Sequence, residues 1–413
     1  MLKILVNAYA CSPYLGSEPG MGWNFIQAIS KNNKVVVITE LDEFKKDIEK
    51  KQIESPELFN NLTFYYIRRV HNNKIRKIWP PSYYWYYKAW QKDVYKLAKK
   101  LDLEYNFDII HQLNMVGFRE PGFLWKLNKP LVWGPIGGLE ISPWKLLPSM
   151  GLYGMCFYGC RNIINLYQMH FLRRVKKCAL KSHVLISATQ ETKDKIKRLW
   201  GKDSIVIPEV GLLEEFEKPE FKARGSVMKV CWSGQHTPGK SLNLFIEAIS
   251  KSRNIDNLEI HIIGKGVCTN KCVKIANQLN INSKIIWHGW IQKKDAVKII
   301  SQCDLFCITS LKDITSTVLL EALSLGLPVI TFDLFGFSNI VDSSCGIKIQ
   351  TNTKKQIIGD LANAIDFFFE HESIRQEKAI NAYKRANEYD WSGKMLILDE
   401  IYNSIKNKPE MNK

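Results

Sequence analysis

"SLKDITSTVLLEALSLGLPVI", residues Ser310 to Ile330, sets one carboxylate, Asp313, ahead of a Thr-Ser-Thr cluster and a second, Glu321, inside a run of leucines. Moving a carboxylate out of water costs several kcal/mol or more unless a donor or ligand meets it. A polar partner is therefore expected for Glu321. Val318, Leu319, Ala322 and Leu323 recur on one face of a helix, with Thr315 or Ser316 as N-cap and Gly326 as its stop. The β-branched segment from Pro328 to Thr331 then reads as a buried parallel strand.

This strand-loop-helix-strand unit repeats through most of the chain. Candidate strands run over 3–6, 35–39, 63–67, 108–111, 131–133 and 183–187, and a second series over 229–232, 259–263, 284–287, 304–308, 328–331 and 346–349. Alternation of strands with amphipathic segments predicts parallel sheets covered by helices, and two series predict two Rossmann-like domains. The Pro- and Gly-containing stretch 208–225 breaks the pattern and reads as a linker. The expected organisation is an N-terminal domain over 1–207, a C-terminal domain over 226–385, and a terminal helix over 386–413 returning to the first domain. Ligands of such sheets lie beyond the carboxyl ends of the strands, which predicts a cleft between two facing domains.

A chain of 413 residues with 46% hydrophobic content can fill two cores. Its net charge of +17 favours acidic partners such as phosphorylated ligands, an anionic membrane face or nucleic acid. Ten cysteines include pairs at 156/160, 268/272 and 303/307, a gap unlike C-x-x-C zinc spacing. They read as free thiols in a reducing cytosol. The apolar stretch before Ala8-Tyr9-Ala10 is too short for a signal sequence and reads as the first strand. From Leu146 to Leu172 only Arg161 carries a full charge, but Pro148, three glycines and several amides interrupt the run, which reads as a buried or membrane-facing helix pair rather than a span.

The motifs collect at strand ends. "CSPYLGSEPGMGWN" follows the first strand, and Gly16, Gly20 and Gly22 could let amides approach a diphosphate, or could simply serve a turn. "CWSGQHTPGKSLNLFIEAI" brings Lys240 to the head of a helix, where it can hold a phosphate or stand as a solvated lysine. "IHIIGKG" makes another close turn, and Trp287, His288 and Trp290 in "IIWHGW" could frame a flat base. In the opening stretch Asp313 suits a sugar hydroxyl, the amides from Ile314 through Thr315, Ser316 and Thr317 suit a diphosphate, and Glu321 suits a ribose.

Taken together, "GSEPGMGW", "VWGPIGG", "SATQET", the loop ending in Lys240, "IIGKG" and the acid-Ser/Thr-"LLEAL-GLPVI" unit resemble the retaining glycosyltransferases of family 4, across nearly the whole chain. The resemblance implies the GT-B fold with a nucleotide-sugar between two Rossmann-like domains. It implies transfer of a hexose-type sugar from a nucleotide-diphosphate sugar to a glycan or lipid-linked acceptor in bacterial surface polysaccharide synthesis. Lys240, Asp313 and Glu321 take the catalytic positions, with Gly20, Gly22, Gln235 and 314–317 on the donor. Asp313 stands where the family has glutamate, and Gln235, followed by His236, stands where the family has arginine, so part of the diphosphate charge must be neutralised elsewhere. No D-x-D metal motif occurs, and neither a catalytic metal nor a cofactor is expected. His111, Arg119 and Glu120 in "HQLNMVGFREPG" are the acceptor-side candidates.

Residues 63–100 hold ten basic residues, one acid and eleven aromatics. Tyr83, Tyr87, Trp90, Val94 and Leu97 line one helical stripe, and Lys88, Lys92, Lys96 and Lys99 another. Such a helix could lie on an anionic membrane, giving a peripheral cytoplasmic protein. The alternative, an aromatic stripe packed on its own sheet, fits slightly better. Two rival functions use the same features: a nucleotide-sugar epimerase of the same fold, and a basic nucleic-acid-binding protein. The absence of any nucleic-acid motif and the placing of the phosphate features at strand ends weigh against the second.

Overall fold

The computed structural model describes residues 1–70, 74, 82–212, 219–220 and 223–407. The chain forms two compact units: residues 1–139, 168–209 and 391–413 make the first, and residues 140–167 and 210–390 the second.

Unit 1 is built on β1 (Lys3–Ala8), β2 (Lys34–Glu40), β3 (Leu62–Ile67), β4 (Ile109–Asn114), β5 (Leu131–Ile136), β6 (Val184–Ser187) and β7 (Ile205–Val206). They pair in parallel in the order β3-β2-β1-β4-β5-β6-β7. The runs ILVNA, VVVITE and IIHQLN are buried throughout. Burial on both faces is what a parallel sheet covered by helices requires. The helix Tyr83–Tyr105 buries Tyr87, Trp90, Val94, Ala98 and Leu101, and the Trp90 indole donates to the Ile67 carbonyl at 2.8 Å. Lys88, Lys92, Lys96 and Lys99 face out. The aromatic stripe is therefore core, and the preceding residues 71–73 and 75–81 lie outside the described residues. The C-terminal helix Trp391–Lys406 packs on Ser17–Ser30, with Phe25 and Trp391 in edge contact at 5.0 Å.

Unit 2 carries β8 (Met228–Ser233), β9 (Leu258–Ile263), β10 (Ile285–Gly289), β11 (Leu305–Ile308), β12 (Val329–Phe332) and β13 (Gly346–Ile349), ordered β10-β9-β8-β11-β12-β13. Side chains alternate across this sheet into two apolar layers. Val230 and Trp232 join Phe245, Ile262 and Phe368 on one side, while Cys231 joins Phe306, Leu319, Leu323 and Val329 on the other. Period-two alternation between two apolar faces is the mark of a sheet sandwiched by helices.

All twelve anticipated strands are present; among the described residues the two-residue β7 alone escaped the reading, being too short for a pattern. The domain boundaries need correction. Residues 140–167 belong to unit 2 rather than to a domain ending at 207, because Leu146, Leu147 and Met150 enter the Val230–Trp232 core layer. The stretch 208–225 is not a free linker either. Leu212 donates to the Tyr389 carbonyl at 3.1 Å, and Arg224 pairs with Glu372 at 3.3 Å and donates to the Phe369 carbonyl at 2.7 Å. Residues 213–218 and 221–222 of that stretch lie outside the described residues.

Candidate active site

In unit 2 the strand order reverses between β8 and β11, and the loops leaving their carboxyl ends diverge there, as at the ligand sites of doubly wound sheets. The loop after β8 runs from Gly234 to a short 3-10 turn at Pro238–Lys240. The loop after β11 carries Thr309 to Ser316 into the helix Thr317–Ser324. Cross-ties hold the two loops in register. The Leu311 amide donates to the Gly239 carbonyl at 2.7 Å, and the Thr309 hydroxyl to the Lys240 carbonyl at 3.1 Å while it accepts from the Trp232 indole at 3.0 Å.

Across this seam the Lys240 ammonium pairs with the Asp313 carboxylate, each side chain largely shielded. The two residues lie 73 positions apart in the chain. Asp313 also accepts from the Ile314 amide at 3.2 Å. Ser316 is the N-cap, and no side chain caps the helix. The first-turn amides of such a helix attract an anion through their unsatisfied donors and the helix dipole. Thr315 is buried, Ile314 accepts from the Gly336 amide at 2.8 Å, and Gly336 lies so close to Thr315 that a Cβ there would meet its Cγ2 at 2.4 Å.

Glu321 sits farther along the same helix with its side chain 12% exposed, and its expected partner is Lys293, at 3.2 Å. Lys293 heads the helix Lys293–Ile300 that follows β10. It escaped the sequence reading because nothing in "QKKD" distinguishes one lysine from its neighbour. Two further neighbours of the loops were also missed. Lys312 donates to the Glu140 carbonyl, and the Tyr158 hydroxyl accepts from the Gly239 amide, with burial pushing the phenol pKa up. Both contacts depend on residues 140–167 packing in unit 2, a tertiary fact.

The neighbouring loop is held at equally close quarters. A Cβ on Gly264, at φ +118°, would lie 1.9 Å from the Gly234 carbonyl, so only glycine fits. Gln235 is exposed. His236 is buried, with Nδ1 2.9 Å from the Thr269 hydroxyl, and burial lowers its pKa to about 4. Of the aromatics in "IIWHGW", the Trp287 indole donates to the Asn282 side chain at 3.0 Å, while Trp290 is 77% exposed and far from enclosing a base. A cavity of about 330 Å³ elsewhere in unit 2 is lined by Lys145, Lys271, Lys354 and Glu247 and includes none of the predicted residues.

The candidates in unit 1 fare differently. Gly20 and Gly22 lie buried within the helix Ser17–Ser30, and a Cβ on them would meet the carbonyls of Leu15 at 2.4 Å and Ala10 at 2.1 Å. Close backbone packing accounts for the lack of a side chain at both positions. His111 is fully buried in β4, its ring nitrogens 2.7 Å from the Tyr402 hydroxyl and 2.8 Å from the Gly134 carbonyl. Burial lowers its pKa to about 4. It is a satisfied structural histidine, which corrects its acceptor-side assignment. The Arg119 guanidinium donates to the Gln168 side chain at 2.6 Å and lies over the Phe118 ring. Glu120 is buried against Arg174, and burial raises its pKa. Glu18, inside the glycine motif, is a further partly buried acid, accepting from the Val116 amide at 2.6 Å, and burial raises its pKa.

Residues 214–385 match the family model described as glycosyl transferases group 1. A lipopolysaccharide 1,6-galactosyltransferase of Escherichia coli (strain K12) is 26% identical over 179 residues, 38% of this chain and 45% of that protein. An N-acetylgalactosamine-N,N'-diacetylbacillosaminyl-diphospho-undecaprenol 4-alpha-N-acetylgalactosaminyltransferase of Campylobacter jejuni is 23% identical over 164 residues, 38% of this chain and 41% of that protein. The matched part thus spans less than half of either relative. Among solved structures, the apo lipopolysaccharide outer core galactosyltransferase WaaB superposes with a TM-score of 0.65 at 14% identity, covering 98% of this chain and 100% of that one. Anabaena Alr3699/HepE in complex with UDP and glucose gives 0.63 at 14%, with the same coverage. The fold is GT-B, as the motifs implied.

Proposed function

We propose that this chain is a glycosyltransferase that moves a hexose-type sugar from a nucleotide-diphosphate sugar to a glycan or lipid-linked acceptor in bacterial surface polysaccharide synthesis. The reaction retains configuration at the anomeric carbon and needs no metal. The observation that carries the reading is the Lys240–Asp313 pair, made across the point where the sheet order reverses, beside an uncapped helix end whose own second acid is Glu321. These residues all lie within the stretch that matches the family model.

The leaving diphosphate gains negative charge as the bond to the sugar breaks, and preorganised cations and amides stabilise that charge most effectively. With no donor bound, Asp313 supplies the anion that Lys240 needs. On donor arrival Lys240 exchanges the carboxylate for a phosphate oxygen, the first-turn amides of Thr317–Ser324 take the remaining charge, and Asp313 is released to accept from a sugar hydroxyl. Glu321 accepts the ribose hydroxyls; its pairing with the half-exposed Lys293 is weak enough to yield. The galactosyltransferase names of the relatives and the UDP in the HepE complex make UDP-hexoses the first donors to try. The sequence offers no paired acids in D-x-D form, which supports charge neutralisation by Lys240 and amides.

A thermal-shift screen of nucleotide-sugars followed by product analysis tests this. The cognate donor should raise the melting temperature, because it binds only the native state. Lys240→Ala and Glu321→Gln should each abolish transfer while unfolding cooperatively, and wild-type turnover in both would remove the site. Product formed from donor alone would indicate the epimerase instead.

A further inference from the structure

The cavity of about 330 Å³ in unit 2 gathers cations from three distant parts of the chain. The 3-10 turn Trp144–Met150 brings Lys145 to its wall, the helix Thr269–Gln278 brings Lys271, and Lys354 heads the helix Lys354–Glu370. One acid faces them, Glu247 on the helix Leu242–Ile249. It pairs with Lys354 at 2.7 Å, while Lys145 and Lys271 have no acidic partner among the described residues. Three ammoniums against one carboxylate leave the hollow with two uncompensated positive charges. The wall is held in place: Asn243 of the same helix donates to the Ser149 carbonyl at 3.1 Å. Gly151, at φ +76°, lets Lys271 come over the turn, since a Cβ there would lie 2.8 Å from the Lys271 ammonium.

We infer that this cavity is a binding site for the phosphate monoester of a small polar molecule, separate from the proposed nucleotide-sugar site. Charge selects the class of ligand. Like charges gathered around one hollow repel each other, and an entering anion turns that repulsion into attraction. A phosphate monoester carries between about 1.5 and 2 negative charges at pH 7, which matches the two ammoniums left without a carboxylate. Lysines hold such a group as point charges with freely rotating donors. Size argues for an ester rather than a bare ion, because small-molecule sites begin at roughly 300 Å³. Pro148 and Ile275 give the hollow an apolar wall for the carbon body of the ligand. The inference stands apart from sugar transfer, since none of Lys240, Asp313 and Glu321 lines the cavity.

Calorimetric titration of the full chain with glucose 6-phosphate as probe, and with glucose and sulfate as controls, tests it. The probe should bind saturably and more tightly than sulfate, and glucose should not bind. Lysine acylation read by mass spectrometry gives the location: at ten times its dissociation constant the probe should slow modification of Lys145 and Lys271 by about tenfold. The exposed Lys100 of unit 1 should react as before. The double variant Lys145→Ala, Lys271→Ala, at exposed positions, should weaken binding by about tenfold or more. Glu247→Gln releases Lys354 from its carboxylate and should tighten binding by roughly threefold. Lys240→Ala should still bind the probe, and the double variant should keep its donor-induced thermal shift, which separates failure here from failure of the proposed active site. Sulfate binding as tightly as the probe, unprotected Lys145 and Lys271, wild-type affinity in the double variant, or loss of the probe in Lys240→Ala would each overturn the inference, the last by returning the phosphate to the candidate active site.

Discussion

The helices Tyr83–Tyr105 and Gly151–Phe171 are close in length, at 23 and 21 residues, and both are rich in aromatic and aliphatic side chains. One hides its stripe and the other exposes it. In the first, lysines recur opposite Tyr87, Trp90 and Val94, so the polar face marks the outside. In the second, both faces are apolar or neutral, and nothing in the periodicity says which one is buried. A hydrophobic stripe locates the core only when a polar face opposes it.

Truncating the buried stripe should cost most. Trp90→Ala removes a fully packed indole and its bond to the Ile67 carbonyl, and should lower unfolding free energy by about 3–5 kcal/mol in urea titrations. A loss within experimental error would mean that the stripe is not core and would collapse the contrast.

Burial in the same unit should also show in its acid response. His111 is kept neutral, its pKa falling from 6.5 to about 4. Because the folded value lies below the unfolded one, the stability is fully present above about pH 6.5 and drains as pH falls toward 4, by on the order of 3 kcal/mol for this group. Urea titrations across that range should show a shallower decline for His111→Asn than for wild type.

The two faces of the second helix should separate next. Asn162→Leu on the inner face abandons the buried backbone of Ser142 and should cost about 1–3 kcal/mol. Ile163→Ser on the outer face should change stability by no more than about 0.5 kcal/mol. Equal losses at the two positions would show the outer face to be covered in the native protein.

Much of this architecture was legible because parallel sheets need continuous apolar strands, and those announce themselves: VVVIT, DIIH and PVIT could be placed directly. The unit from Asp313 through Glu321 was legible too, since an N-cap, a leucine face and a glycine stop are local signals. Lys293 was not, because its distinction lies in which helix β10 leads into and where that helix points. Gly20 and Gly22 allowed two readings for a related reason. A glycine that admits a phosphate and one that admits a neighbouring carbonyl look alike in sequence, and only the positions of the Leu15 and Ala10 carbonyls separate them.

By itself the sequence determined the strand-helix alternation, the strand positions and the acids and lysine with chemical potential, since these rest on local periodicity and residue chemistry. Only tertiary structure decided that Lys240 meets Asp313 across 73 residues, that His111 is a satisfied core residue, that residues 140–167 leave the first unit, and that the bare stripe lies on Gly151–Phe171. Each depends on which surfaces come together when the chain packs. Burial energy is set by that pairing of surfaces rather than by any one segment.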